Sequence, residues 1–121
     1  MSLRVELGTL LETAAGFATV PMLLTTDPDG RPRASAVTVE WDGELAAVRA
    51  GQRSVANAAQ RPLVSLLWPA PPGGRFALLV DGTVEQATAD PAPDGATGRR
   101  ATTGGTISLR ATSAILHVVA R

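Results

Sequence analysis

The stretch 33–41, RASAVTVEW, alternates in character from one residue to the next. Ser35, Val37, Val39 and Trp41 fall on one side, and Ala34, Ala36, Thr38 and Glu40 on the other. A period of two is the signature of a half-buried β-strand. Turn signals bound the stretch: Asp27-Pro28-Asp29-Gly30 before it and Asp42-Gly43 after it. Glycine reaches positive φ at little cost and proline pre-sets its own φ, so both sites favour chain reversal. The second reversal leads into a strand at 44–50, ELAAVRA, and the first follows a strand at 17–26, FATVPMLLTT. Pro21 cannot donate to a ladder, which puts it at an edge or a bulge. These three segments predict an antiparallel meander.

The remaining chain extends the pattern. Leu3, Leu7, Leu10, Leu11 and Ala14 recur at helical spacing and predict an amphipathic helix over 3–15, ended at Gly16. Residues 54–60, SVANAAQ, suit a short helix before Pro62. The apolar run 63–68, LVSLLW, reads as a strand buried on both faces. A long strand follows at 76–88, with Asp81-Gly82 as a bend or bulge within it. Residues 89–105 lack apolar periodicity and read as a mobile loop. A last strand spans 106–119 with a kink near Thr112-Ser113. The expectation is one mostly β domain over 1–121: a six-stranded antiparallel barrel with one or two short helices.

Composition narrows the chemistry. The 121 residues carry eleven acidic and eleven basic side chains, and every basic one is arginine. With no net positive field, binding along a nucleic-acid backbone is not expected. There is no cysteine, hence no disulfide, no thiolate nucleophile and no cysteine-held metal. A single histidine, His117, without an acidic cluster beside it, argues against a zinc site. No segment approaches the ~18 apolar residues of a membrane span, and the first residues lack the form of a secretory signal. A cytoplasmic protein that leaves any redox chemistry to a cofactor is the expectation.

Gly51-Gln52-Arg53-Ser54 lies at a strand-to-helix junction, where helix-start amides, a hydroxyl and a guanidinium can together hold a phosphate. A solvated turn with Ser54 as N-cap explains the same residues. His117, in an apolar strand, reads as a hydrogen-bonded structural residue. Arg33 and Arg49 are either sheet-face charges or aimed at an anion. Trp41 and Trp68 suit a core or a subunit interface.

The order of strand, DPDGRP turn, RASAVT strand, WDG hairpin and GQRSVANAAQRPLVSLLWP resembles the FMN-binding split barrel of the pyridoxamine 5′-phosphate oxidase-like family. VDGTVE and SAILH are similar to segments of small members of that superfamily. The resemblance covers roughly residues 17–88 and the C-terminus loosely. It implies a split β-barrel, a homodimer and a flavin at the subunit interface, with FMN the first choice and a deazaflavin coenzyme the alternative. Arg53 and Ser54 would meet the phosphate. Arg33 to Thr38, Val37 included, would face the ribityl chain and the ring, with Asn57 a further contact from the short helix. Thr38, Ser54 and Val48 stand where the oxidase has Lys, Lys and Thr. The implied function is therefore a flavin-dependent oxidoreductase of small substrates. A deazaflavin-dependent reductase and a non-catalytic split barrel stand beside it.

Overall fold

The computed structural model describes residues 1–91 and 104–120. Its frame is a pair of long antiparallel strands, β7 (Phe76–Ala89) and β8 (Gly105–Val118). Two register shifts bend this pair. Asp81 faces Ser113 while Gly82 faces Ala111, leaving Thr112 as an extra residue on β8; Glu85 is the extra residue on β7. Such bulges increase local twist and curl a sheet toward closure. The Asp81-Gly82 bend and the kink near Thr112 are thus one feature seen from both strands. Gly82 is required there: a Cβ on it would lie 2.7 Å from Leu109 Cδ1 and 2.8 Å from the Arg110 carbonyl oxygen.

The other strands are β1 (Ser2–Arg4), β2 (Met22–Thr26), β3 (Pro32–Ala36), β4 (Thr38–Asp42), β5 (Leu45–Ala50) and β6 (Leu63–Trp68). They form one eight-stranded sheet in the order β3-β2-β6-β7-β8-β5-β4, with β1 added to β8. All pairings are antiparallel. The mostly β split-barrel class stands, with eight strands among the described residues rather than six. A 3₁₀ turn (Leu7–Thr9) runs into α1 (Leu10–Ala15), and α2 (Gln52–Gln60) packs against β2, β7 and β8.

The expected meander is corrected at its centre. The alternating stretch 33–41 is not one strand, because it changes partners at Val37: β3 pairs with β2, whereas β4 pairs with β5. Val37 is buried, and its N–H donates to the Pro21 carbonyl at 3.1 Å. The two ends of the sheet path are therefore joined by a single residue of backbone, which folds the sheet into a barrel. The first strand shortens to Met22–Thr26, since Pro21 lies outside the ladder. The expected helix over 3–15 shrinks to six residues. Ser2–Arg4 instead pair with Ile115–His117, on an edge of β8 that β5 leaves uncovered. β6 has one buried face, Val64, Leu66 and Trp68, and Leu63 is 77% exposed. Of the segment 89–105, Ala89 ends β7 and Gly105 begins β8; residues 92–103 lie outside those described.

Leu10, Leu23, Val48, Leu66, Leu78, Val80, Ile107 and Leu109 are fully buried and make an aliphatic core. Burying each such side chain contributes roughly 1.5–3 kcal/mol. Trp41 and Trp68 stack at one end of it, with ring centroids 6.3 Å apart. Among the described residues no helix is long and apolar enough to cross a membrane.

Candidate functional site

Beyond β2 the chain reverses through Asp27-Pro28-Asp29-Gly30. Gly30 adopts φ 88°, its N–H donates to the Asp27 carbonyl at 2.9 Å, and the Asp27 N–H donates to the Arg31 carbonyl at 2.8 Å. The turn places Arg31 and Arg33 at the start of β3 beside α2. Gly51, extended at ψ 168°, precedes the first turn of α2, and no side chain caps that end. Amides at such an end lack intrahelical acceptors and carry the positive end of the helix dipole.

Asp27 joins these pieces. Its carboxylate accepts from Arg33 Nη2 at 2.8 Å through one oxygen and from Asn57 Nδ2 at 2.8 Å through the other. Asn57, buried within α2, also donates to Thr25 Oγ1 at 3.2 Å and accepts from Arg61 Nη2 at 3.1 Å. Arg61 Nε in turn donates to the Thr26 carbonyl at 2.6 Å. The hydrogen bond from Arg33, then that from Asn57, with the charges of Arg33 and Arg53 adding, hold the Asp27 carboxyl down at about 2. The same bond raises the Arg33 guanidinium above its ordinary value.

Over this network opens a cleft of about 730 Å³, lined among others by Asp27, Asp29, Arg31, Arg33, Arg53 and Asn57. Arg33 is paired with Asp27, and Arg31 lies 3.5 Å from Asp29. Arg53 is exposed and forms no ion pair within 4.0 Å among the described residues. Among the described residues its guanidinium is the cleft's unpaired positive charge.

Three of the expected residues, Arg33, Arg53 and Asn57, thus meet at one cleft. Ser54 does not line it. It is buried as the third residue of α2, and its hydroxyl donates to Ser35 Oγ at 3.0 Å, tying the helix to β3. Gly51, not Ser54, stands at the N-cap of α2. Val37 and Thr38 lie further along the same strand segment. They line a hollow of about 430 Å³ with Ala36, Arg49 and Gly51. They also line an adjoining uncharged hollow of about 500 Å³ that includes Phe17, Trp41 and Trp68. The charged cleft and the two hollows are therefore linked by one run of backbone, Arg33 to Thr38, and the cleft and the smaller hollow both reach the start of α2.

Arg49 is committed elsewhere. It forms a two-pronged pair with Asp90, at 2.6 and 3.0 Å, and donates to Thr106 Oγ1 at 2.8 Å. That bond raises the arginine and lowers the aspartate from their ordinary values. His117 is exposed, with Nδ1 hydrogen-bonded to Ser2 Oγ at 3.0 Å where β1 joins β8. Among the described residues no group of His, Asp or Glu is arranged to hold a metal ion. From sequence Asp27, Asp29 and Arg31 read only as turn residues; two acids followed closely by two bases in DPDGRPR are the available signal of a charged rim.

No protein-family model and no curated protein matches the chain. Solved structures do. An F420 reductase is 22% identical, covers 85% of this chain and 94% of its own, and superposes with a TM-score of 0.64. An FMN-binding protein from Syntrophomonas wolfei subsp. wolfei is 8% identical, with 94% and 85% covered and a TM-score of 0.63. A candidate pyridoxamine 5′-phosphate oxidase from Listeria innocua is 16% identical, with 94% and 98% covered and a TM-score of 0.61. In fold, the chain is a split β-barrel of the kind found in flavin-binding and pyridoxamine 5′-phosphate oxidase-like proteins.

Proposed function

We propose that this protein binds a flavin-type cofactor, its phosphate in the arginine-lined cleft and its ring toward Val37 and Thr38. The observation that carries this reading is the pairing of a cleft holding Arg53 and Arg33 with an uncharged hollow lined by Val37 and Thr38, at the far end of the run Arg33 to Thr38. A flavin phosphate is a charged head on a chain that ends in a flat, largely apolar ring, and the two surfaces match those two ends. Arg53 supplies the charge, the start of α2 adds its dipole, and Asn57 fixes Asp27 and hence Arg33. When bound, such a cofactor supplies hydride or electron transfer, while the protein contributes position, electrostatics and exclusion of water. The activity that fits is a flavin-dependent oxidoreductase of a small substrate, working as a cytoplasmic homodimer.

FMN is the first reading. A deazaflavin coenzyme is the second, favoured by the likeness in fold to an F420 reductase at a TM-score of 0.64. Arg53→Ala tests the shared feature. Losing a charge-assisted bond to phosphate costs about 1.5–3 kcal/mol, or a roughly ten- to hundredfold weaker affinity for FMN. Riboflavin, with no phosphate to lose, should bind almost unchanged. Equal losses for both in a fluorescence titration would count against a phosphate at this cleft.

A further inference from the structure

We propose that Asp27 sets the charge of the phosphate this cleft accepts, so that a singly charged phosphodiester is taken in preference to a doubly charged phosphomonoester. The inference rests on the flavin reading and chooses between its two cofactors, since FMN carries a monoester and the deazaflavin coenzyme a diester.

The charges facing Asp27 come from every element around it. β3 contributes Arg33, α2 contributes Arg53 and, through Asn57, Arg61, and the turn contributes Asp29 and Arg31. Arg31 and Asp29 are side chains 83% and 63% exposed, so their pair is screened by water and adds little. Closer in, Arg33 is already bonded to Asp27, whose side chain is only 11% exposed. The lining arginines outnumber the lining aspartates by one, and that excess charge is Arg53.

A singly charged phosphate balances this excess. A monoester has its second pKa near 6 and carries about −1.5 to −2 at neutral pH. Its extra charge would face the Asp27 carboxylate, whose side chain is mostly buried, and like charges repel. Asp27 does not relieve the conflict by taking a proton, because Arg33 and Asn57 hold its carboxyl at about 2. The ligand must therefore carry the lower charge.

The test titrates the full chain with FMN, with riboflavin 4′,5′-cyclic phosphate and with riboflavin, following flavin fluorescence at about pH 5 and about pH 7.5. The cyclic compound is a diester and keeps a single charge at both values. At the higher pH it should bind about tenfold more tightly than FMN, and at the lower pH the gap should close to within about threefold. Riboflavin reports any pH effect unrelated to phosphate. In Asp27→Asn the gap should close at both pH values. If that variant does not fold, the two wild-type titrations decide alone. FMN binding as tightly as the diester at about pH 7.5 overturns the proposal and leaves the flavin reading intact. Riboflavin matching both phosphates overturns it too, since no phosphate would then occupy the cleft. Binding of none of the three would overturn this proposal and FMN as the cofactor.

Discussion

Asn57 makes three side-chain hydrogen bonds inside the protein: two donations, to Thr25 and Asp27, and one acceptance, from Arg61. Replacing it with Ala strands those partners in a buried setting and should cost about 1–3 kcal/mol in urea denaturation. Arg53→Ala, on the exposed rim, should leave stability nearly unchanged. Asp27 makes a different demand, on acid stability. Its folded-state pKa, about 2, lies below the ordinary 3.8 of an unfolded aspartate. Its contribution is therefore present above the unfolded value and disappears as pH falls from about 4 toward 2. Denaturation curves measured across that window should show falling stability in the wild type and a flatter profile in Asp27→Asn. Sequence reading reached Asn57 and passed over Asp27. The resemblance names Asn57 as a cofactor contact, whereas the bond that ties Asp27 to it spans 30 residues and leaves no record in local pattern. Ser54 shows the same limit, because a hydroxyl after a glycine-led turn reads as exposed until β3 is packed against it.

At the level of elements, alternation reported faces faithfully and partners poorly. Ser35, Val37, Val39 and Trp41 do form the more buried side of 33–41, yet nothing in their spacing marks Val37 as the point of exchange. The turns at Gly30 and Gly43, each at positive φ, were legible because they rest on residue-intrinsic geometry. The helix expected over 3–15 failed at its start because three residues found a vacant strand edge, an outcome of tertiary structure. Close approach at β8 offers a check. A Cβ on Gly105 would run into the Thr88 carbonyl oxygen and Ala89 Cα. Gly105→Ala should lower stability by about 1–3 kcal/mol in thermal melts. Gly8→Ala, where nothing lies within 4 Å, should do no such harm.

For the molecule as a whole, exposed Leu63 and Val20 and the uncharged hollow beside Trp41 leave apolar surface that a second copy would cover. Sedimentation equilibrium at micromolar concentration should give the mass of two chains, and a one-chain mass would refute the expected homodimer. The single-residue join at Val37 has a further consequence, for tolerance to insertion. Because β3 and β4 are one piece of chain, their alignments cannot drift separately, and one added residue reverses inside and outside in whichever strand absorbs it. A glycine inserted after Val37 should therefore abolish the near-ultraviolet circular dichroism of the Trp41–Trp68 stack. The same insertion between Pro72 and Gly73, outside any ladder, should leave that signal in place. The barrel's two ends are keyed to each other like the two halves of a zip sharing one slider: move either by a notch and neither side meshes.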